Sequence, residues 1–159
     1  MRIACADGYP QIAAEVDAAV QQVSGNRSGT RQLAGCTDRG SYWKHWPCLF
    51  PQHGPGRKHE RPIVLDGWQS VIVDTHPWPF VRGLIHSDGC RAINRVTVRG
   101  KRYNYVRYFF ANESRDILKI MGNVLDRVGV DWRYNRPNSI SIARRRSVAL
   151  LERHVGPKT

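Results

Sequence analysis

Asp88 is the residue whose position could do chemistry. It closes the run Pro79-Phe80-Val81-Arg82-Gly83-Leu84-Ile85-His86-Ser87-Asp88-Gly89-Cys90. Phe80, Val81, Leu84 and Ile85 recur at helical spacing, so the run predicts a helix with one apolar side. Gly83 in its middle costs about 1 kcal/mol of helix stability relative to Ala. A missing Cβ allows another backbone to approach, so Gly83, with Phe80 and Leu84 beside it, predicts a tight helix–helix contact. Gly89 is expected to end the helix as a left-handed cap, leaving the Asp88 carboxylate at the tip. An acid there opposes the helix dipole, and a nearby divalent cation would remove the conflict. A buried helix with an ordinary cap accounts for the same residues without any chemistry.

A second set of residues follows at once. Arg91, Ile93, Arg95, Thr97 and Arg99 alternate with Ala92, Asn94, Val96 and Val98. Side chains alternate across a strand, so the arginines are expected on one face and small apolar groups on the other. Tyr103, Tyr105 and Arg107 offer a similar face on the next strand, and Arg133 on a later hairpin. A twisted ribbon carrying arginines fits a DNA major groove, where Arg pairs bidentately with guanine. A solvated sheet face is the plainer alternative.

A third set, Cys36, His45, Cys48, His53 and His59, has zinc-ligand chemistry, but its spacings lack a tight knuckle. A His-metal nuclease around His53 and His59 is a further alternative. The reading preferred here packs Trp43, Trp46, Cys48, Leu49 and Phe50 as core and leaves the histidines in a linker.

The segment Gly83-Leu84-Ile85-His86-Ser87-Asp88-Gly89 resembles the core of the LAGLIDADG motif of homing endonucleases, with His86 and Ser87 departing from the usual spelling. The resemblance implies an α+β fold. In it, two motif helices pack at the centre, the last Asp of each binds the catalytic metal, and a saddle-shaped sheet binds double-stranded DNA. It implies Asp88 as a ligand of Mg2+ or Mn2+, with the Ser87 carbonyl beside it, and basic residues such as Arg107 and Lys101 near the scissile phosphate. Hydrolysis of a phosphodiester by cations shared between opposed carboxylates is the chemistry implied. Only Asp88 is available for it, so a homodimer through the motif helix would supply a second carboxylate. A DNA-binding module or transcriptional regulator that keeps the fold without cleaving is the alternative, although no helix-turn-helix is evident. The residues of intein splicing are absent.

Those residues need elements to carry them. Met1–Ala6 predicts a strand and residues 11–23 an amphipathic helix. Ala6-Asp7-Gly8 is not read as a second acidic motif, because too little helix precedes it. Residues 24–41 predict a short hairpin around Asp38-Arg39-Gly40. A docking helix is expected from Tyr42 to Phe50, and residues 51–62 form the best linker. A helix over 67–75 leads into the Asp88 helix. Strands over 91–99 and 103–110, joined by Gly100-Lys101-Arg102, come next. A helix over 112–128 follows, with Ser114 as N-cap and Gly129 closing it. A hairpin around Arg136-Pro137-Asn138 and a helix over 145–155 finish the chain. From Pro79 the order is α-β-β-α-β-β-α, a complete LAGLIDADG-like repeat over 78–159. Residues 1–52 read as a partial repeat lacking its motif helix, and 53–77 as linker and lead-in helix. The resemblance thus suggests a two-repeat protein with a truncated opening.

Charge narrows the partners. The chain has 159 residues and net charge +12. Residues 1–80 carry 8 Lys/Arg against 7 Asp/Glu, whereas residues 81–159 carry 17 against 6. So one-sided an excess points to a polyanion, with nucleic acid the leading one. No apolar run is long enough for a membrane span, and no secretory leader is read at the N-terminus. Four scattered cysteines without a CxxC suggest reduced thiols in a cytoplasmic protein.

Overall fold

In the computed structural model, residues 1–159 are described apart from the side chain of Lys58. They divide into one unit of Met1–His53 with Pro157–Thr159, and a second of Gly54–Gly156. Among the described residues no helix is long and apolar enough to cross a membrane.

In the first unit, strand β1 (Arg2–Ala6) leads into helix α1 (Pro10–Ser24), then β2 (Gly29–Leu33), β3 (Cys36–Gly40) and short α2 (Trp46–Leu49). Pro10 suits a first helical turn, where its missing N–H has no partner to lose. Gly25 closes α1 at φ +72°. The sheet runs β1-β3-β2, antiparallel throughout. The hairpin turns at Ala34-Gly35, with Gly35 at φ +75°, and not around Asp38-Arg39-Gly40. A two-residue connection needs a left-handed residue, which Gly35 supplies cheaply, and Asp38–Gly40 lie paired inside β3. Cys5, Ala13, Val20 and Trp46 are the buried apolar residues here. Of the expected core set only Trp46 is buried. Trp43 and Leu49 are half-buried, with Trp43 edge-on to Trp46 at 5.2 Å between ring centres. Cys48 and Phe50 are exposed, because the single short turn of α2 has one inward side.

The second unit begins with a 3-10 turn at Lys58–Glu60 and helix α3 (Gly67–Thr75). Asp66 and Gln69 form a capping box at the start of α3. Helix α4 (Pro77–Asp88) follows, then strands β4 (Gly89–Val98) and β5 (Lys101–Ala111), helix α5 (Arg115–Arg127), strands β6 (Arg133–Arg136) and β7 (Ser139–Ile142), and helix α6 (Arg145–His154). The order α-β-β-α-β-β-α is the one expected from Pro79 onward. The sheet is antiparallel in the order β4-β5-β7-β6. Ser114 caps α5 by accepting from the Ile117 amide, and Gly129 follows it at φ +72°. Val81 and Ile85 of α4, Leu118, Met121 and Leu125 of α5, and Leu151 of α6 close over Tyr108, Phe110, Ile140 and Ile142. At about 25 cal/mol per Å2 of apolar surface removed from water, this layer is the main source of the unit's stability.

Two backbone details of the second unit also differ from the sequence reading. Gly89 is not a left-handed cap: it sits at φ −98°, ψ 167°, and is the first residue of β4, paired with Phe110. Its glycine is required by space instead. A Cβ there would lie 2.8 Å from both Cα and O of Ile85. The β4–β5 connection is also tighter than expected. Arg99 and Gly100 form it alone, at φ +49° and +76°, and Lys101 already pairs with Val98. Two consecutive left-handed residues match the twist of a hairpin.

Candidate nucleic-acid interface and the Asp88 helix end

Asp88 ends α4 and is exposed. Its Oδ2 accepts a hydrogen bond from Asn112 Nδ2 at 3.1 Å. Asn112 is held in turn: its Oδ1 accepts from the Ser114 amide at 2.9 Å, and its own amide donates to Asn138 O at 3.0 Å. Asp88, Asn112, Glu113 and His59 line a small cavity of about 300 Å3. Glu113 Oε1 is engaged by Asn138 Nδ2 at 2.8 Å. The Ser87 hydroxyl folds back to donate to Leu84 O at 2.9 Å. Among the described residues no three His, Cys, Asp or Glu side chains gather closely enough to hold a metal ion. One chain therefore presents Asp88 as a carboxylate without the set that a closed metal site needs. The same holds for Cys36, His45, Cys48, His53 and His59, and all four cysteines are free.

Register decides which side chains share a face, because directly opposed residues of an antiparallel pair point the same way. Arg91 pairs with Tyr108, which pairs with Ile142, so Arg91 points to the side covered by the helices. There Arg91 Nε donates to Glu152 Oε1 of α6 at 2.7 Å, and the Tyr108 hydroxyl donates to the same oxygen at 3.3 Å. The hydrogen bond that Arg91 donates to Glu152 raises the Arg91 pKa, and burial pushes the Tyr108 phenol up. Ile93, Arg95 and Thr97 lie on the same side, opposite Val106, Asn104 and Arg102.

The other face is composed differently. Val98–Lys101, Val96–Tyr103, Asn94–Tyr105, Ala92–Arg107 and Cys90–Phe109 are its cross-strand pairs, and Phe109 leads on through Ser141 to Arg133. The expected common face is thus corrected. Lys101, Tyr103, Tyr105, Arg107 and Arg133 stand on the outer face, whereas Arg91, Arg95 and Thr97 stand on the helix side and Arg99 occupies the turn. The strand parity was right, but the two-residue turn puts the odd positions of β4 opposite the even positions of β5. Tyr103 and Tyr105 stack with ring centres 6.2 Å apart and 17° between planes, each more than two-fifths exposed. Arg107 is half-buried along its stem, and its Nε has no hydrogen-bond partner. A buried donor left unpaired costs about 1–3 kcal/mol, which an incoming acceptor could offset.

The tight contact expected at Gly83 is not made inside its unit. A Cβ there would meet nothing within 4 Å, while Phe80 and Leu84 lie half-buried at the margin of the core. Sequence reasoning also missed Asn112 and Trp132. Asn112 could have been found by pairing the strands: Gly89 opposite Phe110 brings the end of β5 back to Asp88. Trp132 packs on Gly122, where a Cβ would lie 2.5 Å from its Cζ2.

No family model matches the chain, and no curated protein is similar to it. Among solved structures it is similar to the meganuclease I-SmaMI, determined bound to uncleavable DNA with a TTCT central four. The TM-score is 0.56 at 6% identity, over 93% of this chain and 69% of that one. At that identity the likeness is one of fold, and the fold of this chain is the α+β fold of the LAGLIDADG meganucleases.

Proposed function

We propose that the protein binds double-stranded DNA on the outer face of the β4-β5-β7-β6 sheet. The observation that carries this reading is the gathering of Lys101, Tyr103, Tyr105, Arg107 and Arg133 on that one face. Arginines there can read guanine edges, and the stacked tyrosines offer hydroxyls and ring surface to the groove. The basic excess of residues 81–159 supplies attraction to phosphates whatever the sequence. A meganuclease of the same fold, solved bound to DNA, supports the reading. Fluorescence anisotropy with labelled duplex across a salt series tests it. Log K should fall linearly with log salt, and a chain that leaves the duplex free at low salt overturns the reading.

A second reading, Mg2+- or Mn2+-dependent DNA cleavage at Asp88, is favoured by the Asn112 bond that holds this exposed carboxylate in place. Hard divalent cations take carboxylate oxygen, so Asp88 would bind the ion, with the Ser87 carbonyl next to it. The cation would supply activated water and stabilise the leaving oxygen. Arg107, three register positions from the Gly89–Phe110 pair, would lie toward the phosphate. The expectation for Lys101 is corrected: it pairs with Val98 at the far tip of the hairpin, about 30 Å along the strands from Asp88. Because the other carboxylate of this cavity, Glu113, is engaged by Asn138, this reading calls for two α4 helices paired through Gly83, Phe80 and Leu84 to supply an opposed one. An Asp88→Asn variant should then bind duplex as before and lose metal-dependent nicking. Undiminished nicking by that variant excludes Asp88.

A further inference from the structure

A cavity of about 640 Å3 lies beside edge strand β6, at the start of α6, lined in part by Trp132, Arg133, Arg144 and Arg146, with Asp126 and Asp131 in its wall. Both acids are already engaged. Asp126 Oδ1 accepts from Trp132 Nε1 at 2.7 Å. Asp131 accepts from Arg144 Nη1 and Arg146 Nε, each at 2.8 Å, and from Ser147 Oγ at 3.2 Å. Arg146 first, then Arg144, hold the Asp131 carboxyl below its ordinary range. The arginines are not used up by this. Each guanidinium has five N–H donors, and their side chains stay 70% and 73% exposed. Asp131 therefore gathers two guanidinium groups and leaves most of their donors facing out. Arg133 makes no ion pair among the described residues, so the cavity has three guanidinium groups against two satisfied carboxylates.

The apolar wall is equally fixed. Trp132 rests on Gly122, is tethered through its indole N–H, and meets Tyr134 edge-on with ring centres 5.3 Å apart. The row Cys90–Phe109–Ser141–Arg133 puts Arg133 on the outer face, so the cavity adjoins that face across β6. Its volume exceeds that of a single ion and suits a phosphate with its sugar. Guanidinium groups match a phosphodiester in charge and in fork geometry.

We infer that this cavity anchors the backbone of a DNA strand lying on the outer face, taking one phosphodiester on Arg133, Arg144 and Arg146 and its sugar against Trp132. The inference rests on the DNA-binding reading above. It makes the β6 edge a fixed point from which the strand runs onto the sheet, independent of base sequence.

Two measurements on the full chain test it. In the first, Arg133→Ala with Arg146→Ala should weaken duplex binding several-fold, equally for unrelated sequences, and flatten the salt slope by about 1. In the second, the indole N–H resonance of Trp132, identified by its loss in Trp132→Phe, should move when duplex is added to the wild-type chain. It should stay in place with inorganic phosphate at the same ionic strength. Wild-type affinity and slope in the double variant, or an unmoved Trp132 signal, overturns the inference. A shift reproduced by inorganic phosphate alone overturns the assignment to a strand. If the wild-type chain binds no duplex, the DNA-binding reading falls with it. Loss of binding in a Tyr105/Arg107 variant but not in the Arg133/Arg146 variant sinks the cavity alone.

Discussion

Asn112 donates from Nδ2 to Asp88 Oδ2 at 3.1 Å while its Oδ1 accepts from the Ser114 amide at 2.9 Å. The second bond sets the orientation of the first, because an amide that accepts at its oxygen can present only its NH2 group to the acid. The end of α4 is thereby tied to the start of α5. Replacing Asn112 with Asp puts a second carboxylate against Asp88 and removes the donor. The variant should lose about 1 kcal/mol or more of stability in EDTA and recover part of it in millimolar Mg2+. Thermal denaturation in the two solutions checks this. An equal loss in both says that the pair does not attract a cation.

Two glycines six residues apart should respond in opposite directions. Gly89→Ala would drive a Cβ to 2.8 Å from the Ile85 backbone, which cannot yield without shifting α4. A loss of about 1–3 kcal/mol is expected, as for overpacking. Gly83→Ala meets nothing within 4 Å in a helix interior and should stabilise by about 1 kcal/mol in a monomeric chain. Urea denaturation of both variants gives the comparison. A destabilised Gly83→Ala would mean that another helix lies against that position in solution.

Much of this fold was legible in the sequence because the second unit is locally consistent. Helical spacing marked α4 and α5, Ser114 and Gly129 bracketed α5, and strand alternation marked β4 and β5. What failed was pairing. Alternation sorts the residues of one strand into two faces, but not which face of a neighbour they join. The turn fixes that, and turning at Arg99-Gly100 in place of 100–102 moved Arg91 and Arg95 to the helix side. Gly89 was legible as a required glycine but not for its reason, since a left-handed cap and a crowded extended residue demand the same side chain. Asn112 and Trp132 carried no motif at all. Their roles come from contacts with Asp88, and with Gly122 and Asp126, that only the folded sheet creates.

Acid should loosen the start of α6 through Asp131. Arg146 and Arg144 lower its pKa, so the folded chain binds this proton less readily than the unfolded one. The stabilisation is fully present above the ordinary carboxylate range and is lost as pH falls through the depressed folded value. Urea midpoints followed from neutral pH down to about pH 3 should therefore decline more steeply in wild type than in Asp131→Asn. Parallel profiles would deny the linkage.

Paired variants on the two faces of the β4–β5 hairpin decide which face takes the DNA. Tyr105→Ala with Arg107→Ala removes ring and charge from the outer face, whereas Arg91→Ala with Arg95→Ala removes two charges from the helix side. Arg91 and Glu152 are each about 43% exposed, so losing their ion pair should cost no more than about 1 kcal/mol, and the second variant should fold. Duplex affinity is measured for both across a salt series. The Tyr105/Arg107 variant should bind at least about tenfold more weakly with a slope flatter by about 1, and the Arg91/Arg95 variant should stay near wild type. Loss of binding in the Arg91/Arg95 variant, with Tyr105/Arg107 unchanged, would put the DNA on the helix side of the sheet and rule out the outer face.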